Sequence, residues 1–378
     1  MRAGNSVGLL LTALGLVAAA ATGARARDDE SALRLLVKAF DRSSPKNIDA
    51  IMRMSLDSPG ERQTVQVRIA KDGRQRVEVI EPLSRKGLII LELELYREIY
   101  NPDKGTLSIG RSMQADLFDP SERLRLVRKN YSLKMIHGVE LAHRRVVRID
   151  ATSRYADVGG ARIFIDPDSY FVMRVDTVSN TGDVTRKFET TTVSYPADLP
   201  PGIFDLSGER VTVIHETDPE PVSNASEAAR KAGFRPLMSH ELPYGFISRK
   251  MYVHNNTSYK TIGFNLSDGL AAATIFEFDL RHCPADVVKQ IHAEMRSRPN
   301  DFMTEQGITI GIVSDVCPKA RKKLLEAFRP RHRSALNDAE KFFIDGTDPA
   351  LSVGPGTVPS TRCVTTYRRV WRNRPQFG

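Results

Sequence analysis

The chain has 378 residues, 55 Lys or Arg against 46 Asp or Glu, and a formal charge of +9. A length of this order suggests two domains. A basic balance suits anionic lipid or an acidic partner. The lack of any basic strip interleaved with aromatic residues argues against nucleic acid.

Residues 1–26 read as a secretory signal peptide. Arg2 supplies a positive start, the uncharged run VGLLLTALGLVAAAA follows, and Ala24-Arg25-Ala26 gives a small-x-small cleavage pattern. The run is too short for a membrane span, and no later segment approaches that length. Cleavage after Ala26 and export are expected, with an uncleaved anchor as the alternative. Loss of Arg2 and Arg25 would leave about +7.

From 31 to 41, Leu33, Leu36, Val37 and Phe40 fall at helical spacing behind Ser31. The period then changes to two. Val65, Val67 and Ile69 alternate with Gln66 and Arg68, and Lys71-Asp72-Gly73 supplies a hairpin turn. Val77 and Val79 continue the apolar set, followed by Leu91, Leu93 and Leu95 between Glu92 and Glu94. Asn101 to Gly105 is a dense turn signal, and 111–131 is polar and predicted partly helical. Alternation resumes with Val147 and Ile149, then Ile163 and Ile165. The Asp166-Pro167-Asp168 turn and a hairpin near Asn180 to Asp183 complete at least eight strands of an antiparallel sheet, apolar on one face.

Acidic, Pro-bearing residues 216–224 read as a linker, which makes 27–215 the first domain. Residues 225–328 mix two periods. A short helix ends at Gly233, three strands span 251–280, Val287, Val288, Ile291 and Met295 share a helical face, 307–316 is a strand, and Leu324, Leu325 and Phe328 belong to a last helix. This predicts a small α+β domain. Residues 329–378 carry nine Lys or Arg against four acidic residues, lose periodicity, and read as a basic, mostly disordered tail.

Catalytic signatures are absent: no G-x-S-x-G, no Walker loop, no H-E-x-x-H and no C-x-x-C. Asp166 and Asp168 read as turn chemistry. His282, Cys283, His292 and Cys317 fit no closed zinc spacing, so neither metal nor cofactor is expected. Cys283 and Cys317 each open a helix, which makes them candidates for a disulfide; two buried thiols are the alternative. That leaves Cys363 unpaired.

Three stretches resemble the periplasmic RseB/MucB family of sigma-E regulators. They are LELYREIYNPDKGTLSIG with the strands before it, the run from HGVELAHRRVVRIDA through FIDPDSYFVMRVD to DLPPGIFDL, and EAARKAGFRPLMSHELPYGF with SDGLAAATIFEF and GITIGIVSDV. Arg144 and the Asp166 to Tyr170 turn depart from that family's pattern. The resemblance covers about 31–328. It implies an α+β fold with a LolA-like half-barrel, a large curved antiparallel sheet under covering helices, plus the small domain. It also implies a periplasmic, non-enzymatic binding protein.

Such a regulator would hold the periplasmic region of a membrane anti-sigma factor and sense an acyl chain, lipid or lipoprotein in an apolar cavity. The cavity would be lined by Val65, Val67, Ile69, Val77, Val79, Leu91, Leu93, Val147, Ile149, Ile163 and Ile165; a packed core is the alternative. Lys319, Arg321, Lys322 and Lys323 form a basic cluster suited to steering an acidic partner. A LolA-like lipid or lipoprotein carrier without a signalling partner is the competing function.

Overall fold

The structure, a computed structural model, describes residues 29–41, 43–55, 61–112, 119–206, 211–239, 241–255, 259–314 and 316–329. The expected signal peptide, and the expected tail beyond Arg329, lie outside the described residues. Helix α1 covers 29–40. Strands β1 (Ile48–Ser55), β2 (Arg62–Ile69), β3 (Gln75–Glu81), β4 (Ile89–Glu92), β5 (Tyr96–Asn101) and β6 (Thr106–Arg111) follow. Helix α2 (Pro120–Asn130) leads into β7 (Tyr131–Leu141), β8 (Arg144–Ser153), β9 (Gly160–Ile165), β10 (Val172–Val178), β11 (Val184–Ser194) and β12 (Thr212–His215).

These strands form one twelve-stranded sheet, in the order β12-β6-β5-β4-β3-β2-β1-β11-β10-β9-β8-β7. The pairing is not antiparallel throughout, as the sequence had suggested. β12 runs parallel to β6, which the long return from β6 permits, since parallel neighbours need a crossover. By compactness the chain divides into two units. One comprises residues up to 73, 80–83 and 119–201; the other comprises 74–79, 84–118 and 202 onward.

In the first unit the strand register sorts side chains by face. Ala50 lies opposite Val67 and Met52 opposite Val65, while Val147 lies opposite Ile165 and Ile149 opposite Ile163. Directly opposed residues share a face, so these eight belong to apolar faces, and all are buried. Helix α1 buries Ala32, Leu33 and Leu36, and α2 buries Leu126 and Val127. Each such Leu or Val contributes about 1.5–3 kcal/mol on burial. The ends of α1 are fastened: the Leu133 amide donates to the Asp29 carboxylate at 2.9 Å, and Lys38 donates to the Tyr170 hydroxyl at 2.8 Å. Asp119 caps α2 by accepting the Ser121 and Glu122 amides. At the turn into β9, a Cβ on Gly159 would lie 1.7 Å from the Val178 carbonyl oxygen, so no other residue fits there.

In the second unit, Ile89, Leu91, Leu107 and Leu206 form a buried cluster against Leu93, Tyr100, Ile109, Phe204 and Val211. Leu95 does not join this set. The chain turns between β4 and β5, with the Leu93 amide bonded to the Tyr96 carbonyl, and leaves Leu95 71% exposed.

The expected linker is ordered. Glu216 pairs with Arg97 at 3.2 Å, Asp218 accepts the Arg111 amide, and Glu220–Val222 is β13. Its acidic residues are partners for strands β5 and β6, a use that composition does not reveal.

A second, six-stranded sheet runs β13-β14-β15-β16-β18-β17. Its other strands are β14 (Ile247–Asn255), β15 (Lys260–Ser267), β16 (Ala272–Asp279), β17 (Phe302–Glu305) and β18 (Ile308–Ser314). Helices α3 (Ala225–Ala232), α4 (Ala285–Ser297) and α5 (Pro318–Glu326) accompany it. Asn224 caps α3 through the Glu227 amide, and Gly233 ends it at φ 85°. Phe264 and Phe328 meet edge to face, with centroids 5.2 Å apart. Of the α4 stripe only Ile291 is buried.

Candidate functional site

The residues expected to line a cavity fall into two kinds. Val65, Leu91, Ile149 and Ile165 have 0% exposed surface, so no water-sized void adjoins them in this conformation. Val67, Val79, Val147 and Ile163 are also buried, whereas Ile69, Val77 and Leu93 keep partial exposure. Within each unit these side chains belong to packed apolar faces. A ligand reaching the buried ones would have to displace neighbouring side chains.

The basic cluster on α5 is not uniform. Arg321 places Nε 2.7 Å from Asp301 Oδ1 and is mostly buried, so it is a packing residue that fastens α5 to the segment before β17. Lys323 lies 3.7 Å from Glu326, and Lys322 is exposed. The exposed positive charge is therefore Lys319, Lys322 and Lys323.

No disulfide joins Cys283 to Cys317 in this structure. The Cys283 thiol is directed to the Asp279 carbonyl at 3.4 Å, while Cys317 occupies the N-cap of α5. Burial, aided by the Asp279 carboxylate, pushes the Cys283 thiol up to about 11, which keeps it protonated and unreactive. Among the described residues no group of three or more His, Cys, Asp or Glu is arranged to hold a metal ion. No described helix is long and apolar enough to cross a membrane.

The Asp166 turn is a structural lock. Asp166 is fully buried and accepts from Arg144 Nε at 2.5 Å, the Tyr195 hydroxyl at 2.6 Å and the Asp168 amide at 2.8 Å. Burial pushes its carboxyl up, but these three donors outweigh that and hold it below the usual range. Tyr195 is pushed up by burial and by Asp166. It also accepts from Ser169 Oγ at 3.0 Å. Arg144 reaches Asp168 as well, at 3.3 Å. The two places where the sequence departs from the family pattern thus meet as an ion pair.

No protein-family model matches the chain, and no curated protein matches it. Solved structures do. A crystal structure of MucB is 15% identical, with a TM-score of 0.50, over 79% of this chain and 97% of that one. A crystal structure of MucB in complex with MucA(peri) is 13% identical, with a TM-score of 0.51, over 77% and 96%. The complex structure of Pseudomonas aeruginosa MucA/MucB is 14% identical, with a TM-score of 0.54, over 78% and 96%. The match takes in nearly the whole length of those chains, and with the large sheet, its helices and the second sheet it shows that this chain has the α+β, RseB/MucB-like fold.

Proposed function

We propose that the protein is a periplasmic, non-enzymatic binding protein. In this reading it is a regulator that holds the periplasmic region of a membrane anti-sigma factor and releases it in response to lipid or lipoprotein. The observation that carries the reading is the two-sheet match to MucB, including MucB bound to MucA(peri). The second sheet weighs against the simpler carrier, because a LolA-like lipid carrier needs only the large sheet.

The partner surface would include the exposed lysines of α5. Their attraction for an acidic segment should weaken with salt. Lipid sensing would act on the apolar faces around Ile69, Val77 and Leu93, which are the expected cavity residues already partly open. One acyl CH₂ is worth about 0.8 kcal/mol on burial, so a long chain could offset part of the displacement of the packed side chains.

The test is a pull-down from envelope extract with the full-length protein, read by mass spectrometry. Retention of a single-span anti-sigma factor, weakened in K319A/K322A/K323A and by salt, is the expected result. If no membrane protein is retained, the regulatory reading fails. Native mass spectrometry after gentle extraction tests the lipid arm: co-purified lipid is expected, and absence of lipid together with no fatty-acid binding would leave a packed core.

A further inference from the structure

The face of the first unit opposite Val147, Ile149, Ile163 and Ile165 carries a ladder of arginines. Five strands place Arg148, Phe164, Arg174, Glu189 and Arg53 in one row, each opposite the next. Two residues along, Asp150, Arg162, Asp176 and Arg186 form a second row, with Ser55 and Arg62 beside it. Six adjacent strands therefore each contribute one arginine to the same polar face.

The acidic residues do not balance them. Asp150 is taken by Arg148 at 2.9 Å. Asp176, whose side chain is 1% exposed, binds the Arg174 fork at 2.6–3.0 Å. It also lies 3.5 Å from Arg186 Nε. Glu189 pairs with Arg186, and with Arg174 at 3.6 Å. The Arg174 guanidinium also stacks on Phe164, 4.7 Å from its centroid. Arg53 and Arg62 have no bonded partner among the described residues, and both are exposed.

These groups surround a cleft of about 370 Å³ that Arg53, Arg62, Arg174, Arg186, Asp176 and Glu189 line. Four guanidinia against two carboxylates leave an excess of two positive charges. The carboxylates hold Arg174 and Arg186 in fixed orientation, so those forks need little ordering to receive a ligand. Arg53 and Arg62 are exposed donors in its lining, outside the ion pairs of the described residues.

We propose that this cleft binds a phosphate group. A dianion matches the excess charge, and its several oxygens match guanidinium forks that converge from different strands; a carboxylate offers one charge and two oxygens. The phosphate can be free or borne by a lipid headgroup, since the cleft recognises only the group itself. The cleft lies on the face opposite Val147, Ile149, Ile163 and Ile165, the face that also carries the buried Phe164 and the apolar cluster around it, and phosphate binding there is read separately from the proposed lipid and partner binding.

The experiment uses the full-length protein at fixed ionic strength, with two probes: inorganic phosphate by titration calorimetry, and phosphatidylcholine vesicles containing phosphatidic acid by sedimentation. R53Q/R62Q is the test variant. Its two positions lie outside every ion pair of the described structure, so circular dichroism and melting should be unchanged. Binding of at least one probe is expected, weakened about tenfold or more in R53Q/R62Q. Free phosphate alone, or vesicles alone, identifies the source. Equal binding by wild type and R53Q/R62Q, no binding of either probe, or equal competition by acetate would overturn the proposal.

Discussion

Tyr195, one residue beyond the end of β11, donates its hydroxyl to Asp166 at 2.6 Å, across 29 residues of sequence. That bond closes the β9–β10 turn against the strand that follows it. Lys46 and Arg144 both lie over the Tyr195 ring, at 5.2 and 4.8 Å. Tyr195→Phe keeps the ring and these cation–π contacts but removes one donor to a buried carboxylate. A loss of about 1–2 kcal/mol is expected in urea unfolding. Because the folded carboxyl lies below its unfolded value, its contribution is present above about pH 4 and is lost as pH falls through the folded value.

Asp176 is the buried centre of the arginine ladder. Asp176→Ala would remove the buried carboxylate that Arg174 and Arg186 share and leave both guanidinia to Glu189. A destabilisation of about 2–4 kcal/mol is expected, against about zero for R53Q. Comparing chemical denaturation midpoints at equal slope checks this.

Glu277 is fully buried on β16, and both of its carboxyl oxygens accept the Leu237 amide, at 3.2 and 3.0 Å. Burial pushes its pKa well up, and the Leu237 bond offsets this only in part. The folded state then keeps a proton that the unfolded state releases, so stability declines as pH rises above about 4.3. Glu277→Gln, which still offers an oxygen to Leu237, should raise the melting temperature at about pH 7. The difference should vanish near pH 4; a variant no more stable at neutral pH would refute the assignment.

His254 gives the opposite slope. Burial beside Phe276 and Gly263 lowers its pKa to about 4. Its unfolded value is near 6.5, so stability is full above about pH 6.5 and falls as the solution is acidified toward 4, by up to about 3 kcal/mol. A His254→Gln variant should lose that acid-side slope even if its absolute stability drops. Unfolding followed from about pH 4 to 7 in wild type and variant resolves the two contributions.

Arg321 and Lys322 are neighbours with different duties. Arg321→Ala would strand a nearly buried Asp301 and should cost about 1–3 kcal/mol. Lys322→Ala, on the exposed side of α5, should leave thermal stability unchanged.

Much of the architecture was legible from local chemistry. The alternation of Val65, Val67 and Ile69, the Asp72-Gly73 turn, the hairpin at Gly182 and the end of α3 at Gly233 are encoded in a few neighbouring residues, because a period and a positive φ are local properties. The resemblance to the RseB/MucB family likewise rested on the order of such elements, and the fold match agrees with it. Tertiary structure decided what depends on partners far along the chain. The parallel seat of β12 on β6, the use of Glu216 and Asp218 to bond β5 and β6, and the commitment of Arg321 to Asp301 have no local signature. The arginine ladder shows why. Its six residues look like ordinary solvent-facing positions of alternating strands, and become one charged surface only when β1 pairs with β11, 130 or more residues away, and the register sets each guanidinium beside the next.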